Sequence, residues 1–68
     1  KRTTREMLLS YLSSESIRQG KRSFDIPYNR QQLADYLCVE RPAMSAELSK
    51  LQKEGLLKTN RSHFELYI

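Results

Sequence analysis

One side of the segment 41–54 carries small or uncharged side chains at helical spacing. At about 100° per residue, a helix would bring together Pro42, Ser45, Ala46 and Ser49. A serine hydroxyl can hydrogen-bond to several bases, and an alanine methyl can contact the methyl group of thymine. We therefore expect this side to contact the base edges of DNA. A helix face that contacts water or another protein is the alternative.

Arg41 begins the same segment and adds the longest side chain. Its guanidinium can donate to both O6 and N7 of a guanine, a contact worth about 1–3 kcal/mol of discrimination. An ion pair with Glu40 or a phosphate contact is the alternative. Pro42 suits a first helical turn, because a helix makes no use of the missing N–H there. The residues predicted for base readout are Arg41, Pro42, Ser45, Ala46 and Ser49.

Two helices around a tight connection are predicted to position this side. The first is 31–37, with an apolar face of Leu33, Ala34 and Leu37. The connection is 38–40, and the second helix is 41–54, with Met44, Leu48 and Leu51 at i, i+4 and i+7. A short helix, a tight turn and a longer helix indicate a helix-turn-helix. In that motif the second helix lies in the DNA major groove, and the first crosses the backbone.

Polar residues at the start of helix 31–37 are suited to bind phosphate. Asn29 is a favoured N-cap, with Gln32 three residues later. A helix N-terminus offers unpaired amides and a positive dipole end to an anion. Arg30 and Gln31 in its first turn are expected to clamp the backbone, with plain solvent exposure as the alternative. The full predicted phosphate set is Asn29, Arg30, Gln31, Lys50, Arg61 and Ser62.

The C-terminal segment 56–68 predicts a β-hairpin. Its strands are Leu56–Leu57 and Phe64–Ile68, and Asn60–Ser62 forms the turn. A hairpin after a recognition helix is a wing, which we place at 58–64 on the backbone or in the adjacent minor groove. Arg61 supplies its charge.

The N-terminal half predicts a helix followed by a short strand. Thr3 and Glu6 form a capping box, and the helix then extends to about Arg18 before Gly20 ends it. Alternating apolar residues in 21–28 indicate a strand. The predicted fold class is mainly α with a small β-sheet, an α+β three-helix winged helix-turn-helix. Tyr36 is expected in or near the core, and Cys38 half-buried in the turn.

The run from Asn29 to Leu57 resembles the helix-turn-helix of the Crp/Fnr transcription regulators. The matching residues are Asn29, Arg30, Gln31, Leu33, Ala34, Leu37, Arg41, Met44, Ser45, Leu48, Leu51, Gly55, Leu56 and Leu57. The resemblance implies that 1–68 is the C-terminal DNA-binding domain of a bacterial-type regulator. An N-terminal effector-sensing domain and a dimerisation helix would lie outside it. The resemblance also implies a homodimer and makes RNA polymerase a candidate partner.

Four residues depart from the family pattern. Pro42 stands where many relatives have a base-reading Glu, and Ala46 where they have an Arg. Cys38 replaces the turn glycine, and Glu40 the Ser or Thr cap. The general role therefore carries over, whereas the best-known target sequence does not.

Composition favours binding over catalysis. A chain of 68 residues buries only about 60% of its unfolded surface, which leaves little room for an active site. One cysteine and one histidine supply neither a disulfide framework nor a metal site, so we expect no enzyme and no cofactor in this domain. With no transmembrane or signal segment in the sequence, we expect a cytoplasmic protein that does not bind membranes.

The net charge of +4 and pI near 9.5 point towards nucleic acid as a partner. The charge is uneven, because residues 1–34 hold seven Lys/Arg and three Asp/Glu, whereas 35–68 hold five of each. The leading hypothesis is sequence-specific binding of double-stranded DNA. A winged helix used as a protein–protein interaction module is the alternative, favoured by the uncharged side of 41–54.

Overall fold

Three helices and a three-stranded antiparallel sheet make up the computed structural model, which describes residues 2–67. The elements in chain order are α1 (Thr4–Gln19), β1 (Ser23–Asp25), α2 (Arg30–Leu37), α3 (Arg41–Lys53), β2 (Leu57–Asn60) and β3 (His63–Leu66). The sheet order is β1-β3-β2, so the last of these strands is the central one. The predicted fold class, a winged helix-turn-helix, is confirmed.

Two of the three helices begin with a reciprocal side-chain cap. Thr3 and Glu6 form the predicted capping box of α1. Asn29 and Gln32 form that of α2, with 2.8 Å from the Gln32 backbone nitrogen to Asn29 Oδ1. At α3 the N-cap is Glu40, whose side chain makes no capping hydrogen bond. Side-chain caps therefore mark where α1 and α2 start, whereas the local signal at the start of α3 is Pro42 in the first turn.

The turn between α2 and α3 requires left-handed backbone at Cys38, where φ is 58°. Its N–H bonds back to the carbonyls of Ala34 and Asp35, which closes α2. For a residue other than glycine this conformation costs roughly 1–2 kcal/mol. The prediction of a half-buried Cys38 is wrong, because the side chain points out of the turn and is exposed.

The core lies between the helices and one face of the sheet. Its α3 members are the predicted Met44, Leu48 and Leu51, all buried. The rings of Phe24 and Phe64 stack across β1 and β3 with centroids 6.4 Å apart. The remaining buried side chains are Leu8, Leu12, Ile26, Leu33, Ala34, Leu57 and Leu66.

The strands differ from their predicted bounds. β2 continues to Asn60, so the turn is shorter than predicted and consists of residues 61 and 62. β1 spans three residues rather than the eight of 21–28, and Pro27, which has no N–H to pair, lies beyond its end. β3 ends at Leu66, and Ile68 lies outside the described residues.

Tyr36 was predicted in or near the core, and this is wrong, since its side chain is 57% exposed. The ring stacks on that of Tyr28, with centroids 5.2 Å apart, and is tilted against that of Tyr11, with centroids 5.3 Å apart. Its position in α2 is one residue before the half-buried Leu37 and two after the buried Ala34, at the edge of the apolar face.

Replacing Leu51 tests the packing of the buried side of α3 against the core. Leu51 is fully buried, so Leu51→Ala should lower the free energy of unfolding by about 2–5 kcal/mol, measured by urea denaturation. The matched control is Ser49→Ala on the exposed side, which should change it by no more than about 0.5 kcal/mol. Equal urea midpoints for the two variants would contradict an α3 that buries Leu51 and exposes Ser49.

Candidate nucleic-acid interface

The outer side of α3 is open to solvent. Its residues are Arg41, Pro42, Ser45, Ala46 and Ser49, and every one of them is exposed. The predicted outward orientation is confirmed, and contacts of these residues with bases stay a prediction. Within residues 2–67 Arg41 forms no ion pair with Glu40, so its guanidinium is available for another partner.

A cleft of about 410 Å³ lies beside the start of α3. Its walls are the first turn of α2, the first residue of α3 and the turn of the wing. We call it the arginine cleft, and its lining residues are Asn29, Arg30, Gln31, Arg41, Arg61 and Ser62. The fold thus brings together five of the six residues predicted for phosphate contacts. The sixth, Lys50, is exposed on the last turns of α3.

The arginine cleft is strongly cationic. Three guanidinium groups and no carboxylate are among its lining residues. Burial lowers the pKa of Arg30, and the neighbouring positive charge of Arg41 lowers it further. Both remain charged, because an arginine in a protein does not lose its proton near neutral pH. An anion between these groups would reduce their mutual repulsion. Guanidinium groups bind phosphate oxygens through bidentate hydrogen bonds.

Arg30 is less available to an anion than its neighbours. Its Nη1 donates to the Arg61 carbonyl and its Nη2 to the Thr59 hydroxyl, each at 3.0 Å. Its guanidinium carbon lies 5.5 Å from the centre of the Phe64 ring. The side chain is half-buried and joins α2 to the wing.

The turn of the wing is fixed on its other side by Ser62. The Ser62 hydroxyl donates to the Tyr28 carbonyl at 2.6 Å, and the Ile26 N–H donates to the Ser62 carbonyl at 2.9 Å. Arg61 at the tip has a φ of 56°, a value that hairpins usually give to Gly, Asn or Asp. The wing is therefore anchored to the segment that leads into α2.

Glu47 of α3 and Glu54 at its C-cap do not line the arginine cleft. Arg5 of α1 binds Glu54 through two hydrogen bonds, of 2.6 and 3.0 Å, and approaches Glu47 at 3.8 Å. Two of the five carboxylates of the second half are therefore paired with a cation from the first half. None of the five lines the arginine cleft.

His63 contacts two polar residues of β1. Its Nε2 lies 2.9 Å from Ser23 Oγ, and its Nδ1 lies 2.9 Å from Asp25 Oδ1. These groups lie on the solvent side of the sheet, where Asp25 is opposite His63 in the β1–β3 register. They form a polar clamp between the two strands. The alternation of polar and apolar residues in 23–25 indicated a strand, but the sequence did not show that this strand would pair with the one that contains His63.

The sequence model of the Crp-like helix-turn-helix domain matches residues 5–67, nearly the entire chain. The chain belongs to this family. As a Crp-like helix-turn-helix domain it is a DNA-binding domain of a transcription regulator. This family is typically not enzymatic. No curated protein matches the chain.

The described residues lack what a metal site or a membrane-spanning helix requires. Among the described residues, no three His, Cys, Asp or Glu side chains are grouped as a metal site would require. None of the helices in 2–67 is long and apolar enough to span a membrane.

The Arg5 contacts generate a pH-dependent prediction. The hydrogen bonds from Arg5 lower the pKa of Glu54, so they stabilise the fold above the ordinary glutamate value of 4.5. Arg5→Met should therefore be less stable than the wild type at pH 7. The difference should shrink as the pH falls below 4.5 and Glu54 takes up a proton.

Thermal unfolding at a series of pH values measures this difference. Arg22→Met is the matched control, because Arg22 is exposed and has no ion pair within residues 2–67. A stability loss in Arg5→Met that is the same at pH 3 and pH 7 would show that the ion pair is not its cause.

Proposed function

We propose that this Crp-like domain binds double-stranded DNA in a sequence-specific manner. The outer side of α3 lies in the major groove, and the wing contacts the backbone or the adjacent minor groove. The observation that carries the proposal is the arginine cleft, which gathers residues from α2, α3 and the wing next to the exposed side of α3.

Arg41 links the two kinds of contact. It lines the arginine cleft and also begins the outer side of α3. Phosphate contacts fix the orientation of a protein on the duplex, whereas base contacts carry sequence information. A phosphate held by Asn29, Gln31, Arg61 and their neighbours would place the start of α3 over the base pairs. Lys50 would contact a phosphate further along the helix.

The proposed base contacts follow from the chemistry of the outer side. Arg41 binds O6 and N7 of a guanine, and the apolar surfaces of Pro42 and Ala46 meet thymine methyl groups. The hydroxyls of Ser45 and Ser49 hydrogen-bond to base edges. With Pro42 and Ala46 in place of Glu and Arg, the domain prefers a different target from its best-known relatives, with fewer polar contacts.

Useful affinity requires two such domains. A single module neutralises few phosphates, so it binds weakly and with a strong dependence on salt. We propose that 1–68 is the C-terminal domain of a longer homodimeric regulator whose half-sites are about 34–36 Å apart, one helical turn. RNA polymerase is a further partner in this proposal.

Selection of bound sequences from random duplex DNA tests the proposed function. The protein is used both as the 68-residue chain and fused to a dimerising coiled coil. We expect the dimeric form to enrich a two-fold symmetric motif with a guanine and thymines in each half-site. Enrichment of no motif by either form, with DNA binding no tighter than that of a basic peptide of equal charge, would overturn the proposal.

Arg41→Ala should remove discrimination at one base pair. We expect a loss of about 1–3 kcal/mol in the preference for guanine at that position, with non-specific binding largely retained. Fluorescence anisotropy with a selected duplex and its single-base variants measures this. Lys53→Ala is the matched control, since it removes the same charge from the other end of α3. A domain that docks on a protein instead would show no DNA phenotype for Arg41→Ala.

Asn29→Asp separates folding from binding. Aspartate keeps the side-chain oxygen that caps α2, so the melting temperature should not fall. The new carboxylate stands in the arginine cleft and should weaken DNA binding on the order of tenfold at low salt. Thr3→Asp is the control, because it puts the same change at the N-cap of α1. Equal DNA affinity in both variants would place the phosphate contacts elsewhere.

A further inference from the structure

Arg30 is predicted from sequence as a phosphate clamp, yet its contacts point to another task. Both terminal nitrogens of its guanidinium donate to the wing, one to the Arg61 carbonyl and one to the Thr59 hydroxyl. The side chain is half-buried, and its guanidinium lies over the Phe64 ring in the core, 5.5 Å from the ring centre. A side chain held at three points by one hairpin is suited to fix the position of that hairpin.

Thr59 is the unusual member of this arrangement. It lies opposite Phe64 in the β2–β3 register, and its neighbours two positions along these strands, Leu57 and Leu66, are buried. Side chains two positions apart face the same side of a sheet. Thr59 therefore directs a hydroxyl towards the inner face of the wing, where Arg30 uses it as an acceptor.

The second acceptor is the carbonyl of a strained residue. Arg61 has a φ of 56°, in the left-handed region that side chains other than glycine seldom occupy. A charged donor on its carbonyl stabilises this conformation and with it the direction of the Arg61 side chain. Arg61 lines the arginine cleft, so the contact reaches the proposed phosphate site.

We propose that Arg30 is a positioning residue: it holds the wing against α2, so that Arg61, rather than Arg30 itself, contacts the phosphate. This inference rests on the proposed function for its effect on DNA. Its structural part, the hold on the wing, concerns the protein without DNA and is measured separately.

Thr59→Val tests the proposal without changing any charge. Valine has nearly the shape of threonine and favours strands, but it cannot accept from Arg30. We expect the affinity for a selected duplex to fall about fivefold, because the wing no longer presents Arg61. Thr59→Ser, which keeps the hydroxyl, should bind as the wild type does. If Arg30 contacted the phosphate directly, Thr59→Val would leave affinity unchanged or raise it, and the proposal would fail.

Salt dependence identifies which arginine meets the phosphate. A lost phosphate contact reduces the slope of log K against log salt by about 0.9. Thr59→Val and Arg61→Ala should each show this reduction, and the double variant should be no weaker than Arg61→Ala alone. Additive losses in the double variant would mean that the two residues act independently, which overturns the proposal.

Arg30→Lys provides a second criterion. Lysine keeps the charge, but as a point charge it cannot donate to two acceptors in the fixed geometry of a guanidinium. We therefore expect Arg30→Lys to bind DNA as poorly as Arg30→Met. Near wild-type binding by Arg30→Lys would show that charge alone suffices, as for a direct phosphate contact.

Amide hydrogen exchange of the DNA-free protein separates this inference from the proposed function. In Arg30→Met and in Thr59→Val, exchange should become faster at residues 59–63, with α1 protected as in the wild type. Exchange rates in the wing that equal those of the wild type would show that Arg30 does not position the wing, whether or not the protein binds DNA. If exchange in the wing becomes faster in the variants but the wild type binds no duplex, the positioning role of Arg30 is supported and the proposed function fails.

Discussion

The burial of one side of α3 is the constraint on which the interface depends. Met44, Leu48 and Leu51 fill the core between α1 and the sheet, and no rotation of α3 can expose them without losing that packing. The opposite side is turned to solvent as a consequence, with its small side chains uncovered. The first residue of that side, Arg41, lines the arginine cleft together with the first turn of α2 and the turn of the wing. The position of the cleft beside the outer side of α3 therefore depends on the same core packing.

Charge in this protein is organised by the fold rather than by the sequence. The second half of the chain is neutral as a string of residues. In three dimensions Arg5 crosses from α1 to the carboxylates of Glu47 and Glu54, on the side of α3 that faces α1. The arginines at the start of α2, the start of α3 and the tip of the wing then meet without acidic neighbours in the cleft lining. A modest net charge is thus compatible with a concentrated local one, which is what phosphate contacts require.

Features encoded by short-range chemistry were predictable from sequence. The capping boxes at Thr3 and Asn29 and the helical spacing of the α3 core residues gave the helices to within about one residue, since each depends on neighbours within a few positions. Features that depend on distant partners were not predictable. The hydrogen bond that Arg30 donates to Thr59 had no signal in the sequence, because the two residues are 29 positions apart. The same holds for the contact between His63 and Asp25, which are 38 positions apart. The exposure of Tyr36 escaped prediction for a related reason, because an aromatic ring can rest on the rim of a small core.

The sheet order has a consequence for how the molecule assembles. The strand in the middle, β3, is the last one along the chain, and it joins β1 to β2 through partners as far apart as Phe24 and Phe64. The helical part can form early from local contacts, but closing so long a loop is slow and comes at an entropic cost that only the completed sheet offsets. During synthesis the surfaces of α1 and β1 that contact β3 therefore remain uncovered until residues 63–66 have left the ribosome. β3 belongs both to the wing and to the core, so the domain acquires its arginine cleft and its stability in the same step.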